Sequence, residues 1–218
     1  MRVISGEARG RKFLAPAVQS VRPTSDRVRE AIFDVLSHLG GLAEARVLDL
    51  FAGSGAFGIE SLSRGASSVV FVDQDHRVTR MIRENLAAVR LEHVGASQIA
   101  TSDAIAFCRR LADLQHSEQP STTSSAFDIT FCDPPYAFSN WAKLLKVIPG
   151  NLVVLESAKA IELPDHLELY RVYRYGSTLV TVAHRREITG GNALDGPVGP
   201  VGRDGRVDED DPVERDEP

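Results

Sequence analysis

VLDLFAGSGAFGIE, residues 47–60, changes character halfway along. ARVLDLF reads as a buried strand, the glycines at 53, 55 and 58 follow in G-x-G-x-x-G spacing, and AFGIESLSRG reads as a helix stopped by Gly65. A strand, a glycine turn and a helix in that order let backbone N–H groups approach a ligand closely. Asp73, twenty residues after Gly53, stands where an acid would accept ribose hydroxyls. Taken alone, the spacing suits a nicotinamide dinucleotide. Asp49, four residues before Gly53, places negative charge where a pyrophosphate would lie. That favours a ligand with positive charge, such as the ammonium and sulfonium of S-adenosylmethionine. No Gly-Lys-Ser/Thr follows, which excludes a nucleoside triphosphate loop. The structural alternative is that the glycines only shape a tight turn.

Outward from this stretch the strand-then-helix pattern repeats. SSVVFVD is a strand and HRVTRMIRENLAAVRL a helix; SQIA is a short strand and DAIAFCRRLADL a helix. FDITFC is the fourth strand, a short helix follows around Trp141 to Val147, and NLVVLES is the fifth strand. ELYRVYRYGSTLVTVAHR reads as an antiparallel edge hairpin turning at Tyr175-Gly176. Alternating elements with apolar strands predict a parallel sheet covered on both faces, with ligands beyond the carboxyl ends of the strands. Asp49, Asp73, Asp103 and Asp133 all fall at or just after strand ends, on one rim. Before this unit, RVISG and GRKFLAP flank a Gly- and Arg-rich turn and predict a hairpin. RPTSDRVREAIFDVLSHLG has helical spacing from Val28 to Leu39. SEQPSTTSSA is a polar loop. The segment after His184 is poor in core-forming residues, and its collagen-like glycines at 196, 199, 202 and 205 read as linker.

The 218 residues are 43% hydrophobic and 25% charged, which suits one α/β domain with an appendage. No run reaches the ~18 apolar residues of a membrane span, and the first residues lack a secretion signal, so a cytoplasmic protein is expected. Cys108 and Cys132 have apolar neighbours and no C-x-x-C spacing; buried thiols are expected, not a disulfide. Six scattered histidines give no metal-ligand spacing. The net charge of −5 hides an asymmetry. Residues 185–218 hold five basic and ten acidic groups, whereas residues 1–30 hold seven basic and three acidic ones.

FDITFCDPPY, residues 127–136, carries the chemistry. Two prolines fix φ and remove two donors, so the chain leaves the sheet at Asp133 as a stiff holder of acceptors. The Asp133 carboxylate and the Pro134 carbonyl can accept both N–H bonds of a nucleobase amine and orient its lone pair, while Tyr136 stacks on the base. Positioning of this kind is worth several kcal/mol at ~3 Å separation. The expected cofactor set is Thr24, Asp49, Phe51, Gly53, Gly55, Asp73, Gln74, Asp103 and Ala104. Asp73 takes the ribose hydroxyls, and Asp103 with Ala104 the adenine. Asp103 is equally well read as a helix N-cap, and Thr24 as either a cap or a contact to the methionine carboxylate.

VLDLFAGSGAFGIE, VVFVD and FDITFCDPPY resemble the class I S-adenosylmethionine-dependent amino-methyltransferases. MRVISGEARGRKFLAP with RPTSDRVREAIFDVL resembles the N-terminal signature of the RsmD type, which methylates guanine N2 in bacterial small-subunit (16S) ribosomal RNA. The resemblance runs from Met1 to about His184 and includes YGSTLV. It implies a Rossmann-like, mostly parallel seven-stranded sheet with an antiparallel C-terminal hairpin and an N-terminal β-hairpin extension. It also implies that the guanine is methylated within an assembled RNA–protein particle. Two departures stand out: only about fifteen residues separate Tyr136 from NLVVLES, where the family has a longer helical stretch, and the acidic tail lies outside the pattern. The expected organisation is a basic hairpin at 1–23, a methyltransferase domain at 24–184 and an acidic tail at 185–218. Arg9, Arg11, Lys12, Arg22 and Arg27 form the expected phosphate-contacting patch, with Arg29 given less weight because Asp26 is available to pair with it. The expected partner is small-subunit ribosomal RNA or the assembling subunit, with no membrane and no metal, and a monomer as default. The alternatives are methylation of adenine N6 or a protein glutamine amide, or a non-catalytic RNA-binding assembly factor.

Overall fold

The computed structural model describes residues 1–15, 26–117 and 126–186. Thr24, Arg22, residues 118–125 of the polar loop and the acidic tail beyond Arg186 lie outside the described residues.

Apolar residues at alternate strand positions on both faces force the sheet to be covered twice. Strands β1 (Arg46–Leu50), β2 (Ser68–Asp73), β3 (Ala96–Thr101), β4 (Ile129–Cys132) and β5 (Leu152–Ser157) are parallel; β7 (Thr178–Arg185) runs antiparallel to both β5 and the edge strand β6 (Leu167–Tyr175). The seven-stranded order is β3-β2-β1-β4-β5-β7-β6. The chain moves outward from β1 to β3 and returns to β4 on the other side of β1. A crevice therefore opens beyond the carboxyl ends of β1 and β4.

The register sorts side chains by face. Val47, Val69, Phe71, Ile129, Phe131, Val154, Val180 and Val182 pack with helices α1 (Asp26–His38), α2 (Ala56–Ser63) and α3 (His76–Ala88). Leu48, Leu50, Val72, Cys132, Val153 and Leu155 pack with α4 (Ala104–Ser117) and α5 (Trp141–Leu145). Both cysteines are buried free thiols. Burial pushes Cys108 up to about 12 and Cys132 up as well, so neither is a nucleophile near neutrality.

The N-terminal hairpin forms, with Arg2 and Lys12 bridged antiparallel and Val3 N–H donating to the Arg11 carbonyl at 2.9 Å. It stays outside the sheet. Val3, Ala8 and Phe13 are buried in the α1–α3 side of the core. Backbone donors left over at its turn find acceptors on α2: the N–H groups of Ile4 and Ser5 donate to the two Glu60 carboxylate oxygens at 2.8 and 2.9 Å, and Ala8 N–H donates to Ser63 Oγ at 2.9 Å. Gly6 permits this approach, because a Cβ there would lie 1.7 Å from the Ser63 carbonyl oxygen.

Among the described residues, no helix is long and apolar enough to cross a membrane, and no group of His, Cys, Asp and Glu could hold a metal.

Candidate active site

The glycine loop is built from residues that few side chains could replace. Phe51, directly after β1, takes φ +57°, and Gly53 and Gly55 take φ +54° and +78°. For a phenylalanine that left-handed conformation is strained, and such strain collects at ligand-binding turns. Gly55 is the N-cap of α2. Gly58 lets α2 lie on the sheet: a Cβ there would come within 2.1 Å of Phe71 Cε1.

Asp73 closes the loop from the side. Its carboxylate accepts from Gly53 N–H at 3.1 Å and from Asp75 N–H at 2.9 Å, which fixes it at the end of β2. Asp75 caps α3, and its ion pair and hydrogen bonds with Arg77 hold its carboxyl down at about 2. Asp49 sits below the loop. It is 2% exposed and accepts from Gly58 N–H at 3.0 Å. Burial, with the charges of Asp133 and Asp73 adding, pushes its carboxyl well above the ordinary range. The sequence places Asp49 facing the ligand as a charge; the fold places it under the first turn of α2, with Asp73 and Asp133 close enough to oppose its ionisation. Asp103 is exposed and accepts from Ala106 N–H at 2.9 Å, the N-cap geometry, while Ser102 N–H donates to the Asp73 carbonyl at 2.9 Å and ties the ends of β2 and β3 together. Gln74 is exposed beside Asp73, and Ala104 is buried.

The Asp-Pro-Pro-Tyr turn follows β4 at the same end of the sheet. Asp133 is half-buried, Pro134 buried and Pro135 exposed. The turn is fixed by Phe138 N–H donating to the Pro135 carbonyl at 2.8 Å. Phe138 then packs edge-on against Phe51 at 5.1 Å and Trp141 at 5.2 Å, joining this turn to the glycine loop through an aromatic contact. Tyr136 is 53% exposed. A separate cavity of about 480 Å³ lies at the opposite end of the strands, lined by Leu36, Leu39, Ile129, Leu152 and Tyr170; none of the expected site residues lines it.

Of the basic residues, Arg9, Lys12 and Arg27 are exposed. Arg11 is half-buried and donates from Nη1 to the Val89 carbonyl at 2.6 Å, so it ties the hairpin to the end of α3. Arg29 is fully buried and donates from Nη2 to the Arg2 carbonyl at 2.6 Å and to Asp26 at 3.0 Å. Its burial lowers its pKa, and it serves the fold rather than a surface.

One residue of the site is not among the candidates the sequence offers. Asn85 on α3 is fully buried; its amide donates to the carbonyls of Ser54 at 2.8 Å and Leu14 at 3.0 Å and accepts from Leu14 N–H at 2.8 Å. It joins the hairpin to the glycine loop. The signal was a polar side chain three residues after Ile82 on the apolar stripe of α3, where an amide must find partners.

Strand order, the crevice at the β1/β4 switch and the glycine loop together define a class I methyltransferase fold. The magnesium protoporphyrin IX methyltransferase of Synechocystis PCC 6803, solved with bound S-adenosylmethionine, shares this fold at a TM-score of 0.54 and 14% identity, over 73% of this chain and 79% of that one. A hypothetical protein of Thermus thermophilus matches with a TM-score of 0.67 and 30% identity, over 84% of this chain and 98% of that one. The chain belongs to the family described as conserved hypothetical protein 95, whose model matches residues 1–184. The ribosomal RNA small subunit methyltransferase D of Escherichia coli K12 is 35% identical over 151 residues, covering 69% of this chain and 68% of the relative.

Proposed function

We propose that the protein methylates the N2 amine of a guanine in bacterial small-subunit ribosomal RNA, using S-adenosylmethionine. The observation that carries this reading is the stiff Asp133-Pro134-Pro135-Tyr136 turn, joined through Phe138 and Phe51 to a glycine loop whose flank is closed by Asp73. The relative's name supplies the ribosomal RNA.

The loop fits the cofactor by its donors and acceptors. Asp73 is fixed by two N–H groups with its remaining acceptor capacity available for ribose hydroxyls, and the backbone of Phe51 and Gly53 is bent into a cradle. Bound there, S-adenosylmethionine supplies an electrophilic methyl on a cationic sulfur. The chain does the rest by positioning. Asp133 Oδ and the Pro134 carbonyl accept hydrogen bonds from the two amine N–H groups, and the rigid prolines keep both acceptors in place. Tyr136 stacks on the base, and Asp133 holds the displaced proton until water takes it. A stacked guanine must leave its helix to reach this turn. Arg9, Lys12 and Arg27 contact the flanking phosphates, and binding weakens with salt accordingly. Residues 1–23 serve as the RNA-contacting extension and 24–184 as the catalytic domain, in a cytoplasmic monomer.

The test is transfer of a tritiated methyl to unmodified small subunits, followed by nucleoside digestion. N2-methylguanosine is the expected product. N6-methyladenosine, label in protein, or no label would replace this reading with one of the alternatives.

A further inference from the structure

Tyr136 combines two properties. The residue is 53% exposed, yet its hydroxyl lies 3.4 Å from Thr178 Oγ1. Thr178 is the first residue of β7 and pairs with Tyr175 across the Gly176-Ser177 turn, where Gly176 takes φ +61°. Ser157, the last residue of β5, pairs with Leu179, so Thr178 stands just beyond the end of β5. β5 lies between β4 and β7 in the sheet. The turn after β4 and the Tyr136 side chain together therefore cross the end of β5 to reach β7, two strand spacings, or about 10 Å, from β4. The tyrosine's backbone end is held by Pro134, Pro135 and the Pro135–Phe138 hydrogen bond. Its hydroxyl end meets Thr178.

An exposed aromatic fixed at both ends is a platform. Stacking is strongest when the ring need not be ordered as the base arrives, because the ordering entropy is then already spent on the fold. The separation of 3.4 Å is long for an O–H···O pair, and active-site hydrogen bonds often shorten only when the substrate is in place.

We propose that Thr178 is a positioning residue: through its Oγ1 it holds the Tyr136 ring as the stacking floor for the target base, and the β6–β7 turn is one wall of the base pocket. This rests on the reading of Tyr136 given above.

The experiment is a double-mutant cycle on methyl transfer to unmodified small subunits. Thr178→Val keeps the shape of the side chain and removes the hydroxyl. The KM for the subunits should rise about 3- to 10-fold, the range for one modest hydrogen bond, with cofactor affinity unchanged. Tyr136→Phe should give the same rise. The double variant should cost no more than either single one, because both remove the same contact. Thr178→Ser, which restores the oxygen, should return KM to within about 2-fold of the parent. Additive effects, or Thr178→Ser as impaired as Thr178→Val, would overturn the proposal. So would a Thr178→Val variant with unchanged KM. Failure of the underlying reading looks different: Tyr136→Ala would then leave transfer intact, whereas under this proposal Tyr136→Ala is impaired whatever stands at position 178.

Discussion

Replacing Gly58 by alanine sets two effects against each other, and the structure decides between them. Alanine is the better helix former by about 0.5–1 kcal/mol, so propensity alone predicts a more stable α2. The added Cβ would lie 2.1 Å from Phe71 Cε1, 2.6 Å from its Cζ and 2.8 Å from Val69 Cγ1. Ordinary carbon contacts are about 3.5–4.0 Å, so the helix must lift by about 1.5 Å. The ring has little room to yield, since Phe71 is fully buried and a Cβ on Gly55 would already be 3.3 Å from the same atom. Overpacking of this kind costs about 1–3 kcal/mol. Lifting the first turn of α2 also draws Gly58 N–H away from Asp49, stripping a buried carboxyl of a donor at a further cost of about 1–3 kcal/mol. The net expectation is a loss of about 1–5 kcal/mol, or roughly 2–20 °C in melting temperature for a chain of this size. Calorimetric unfolding of the variant measures it. Gly10→Ala is the control: φ is +81° there, but nothing lies within 4 Å of the new Cβ, so only the backbone cost of about 1–2 kcal/mol applies. A Gly58→Ala protein as stable as its parent would refute the close approach of α2 to β2 and the packing role of the third glycine.

Asp133→Ala should reduce transfer at least about 100-fold, with cofactor affinity within a few-fold of the parent by calorimetry, because positioning is lost and the glycine loop is untouched. Asp73→Ala should do the reverse and weaken cofactor binding about 10-fold or more, given the carboxylate's charged hydrogen bonds to two hydroxyls. Asp49 predicts a pH dependence. Its folded pKa is raised above the unfolded value of about 3.9, so between those two values the folded chain holds more protons and stability falls as pH rises. Asp49→Asn removes that slope, and its urea midpoint should gain on the parent's from about pH 4 upward; parallel curves would show that Asp49 ionises freely. Asn85→Ala leaves Leu14 N–H and two carbonyls without their partner and should cost about 2–4 kcal/mol in urea unfolding.

The sheet was legible because its central strands are apolar on both faces and most of its helices are amphipathic, so local pattern and tertiary burial agree. The strand-to-helix turn at Gly53 and the turn at Asp133 were legible for a different reason: glycine and proline act on the backbone itself, and their effect does not depend on neighbours. What escaped the sequence is what depends on distant partners. Glu60 lies among apolar residues of α2; beside Arg64, one turn on, its carboxylate also accepts from the backbone N–H groups of Ile4 and Ser5, more than fifty residues away. The sequence groups Arg11 with Arg9 and Lys12 as one patch; the packing of the hairpin on α3 shows that its guanidinium is committed to the Val89 carbonyl. For Asp49, the spacing fixes its position below the glycine turn, but the direction of its carboxyl is set by where α2 lands.

These long-range contacts bear on how the molecule is organised. A detachable RNA-binding hairpin would make few bonds to the catalytic fold, and its loss would spare the cofactor site. Here the hairpin's own edges are satisfied by the elements that shape that site. Met1 Sδ accepts from Ser54 Oγ at 3.3 Å, and Leu14 and Ser54 share the Asn85 amide, so both ends of the hairpin meet the residue between Gly53 and Gly55. Glu60 and Ser63 anchor its turn to the helix that the same loop starts. Gly53 N–H in turn holds Asp73. The exposed cations Arg9 and Lys12 are therefore carried on an element whose placement is fixed by the glycine loop. Deleting residues 1–15 should weaken cofactor binding as well as RNA binding, because Ser54 loses its contact to Met1 and Asn85 loses two of its three hydrogen bonds. A truncated protein that binds cofactor with unchanged affinity would show that the loop keeps its shape without the hairpin, and that the two parts are mechanically independent.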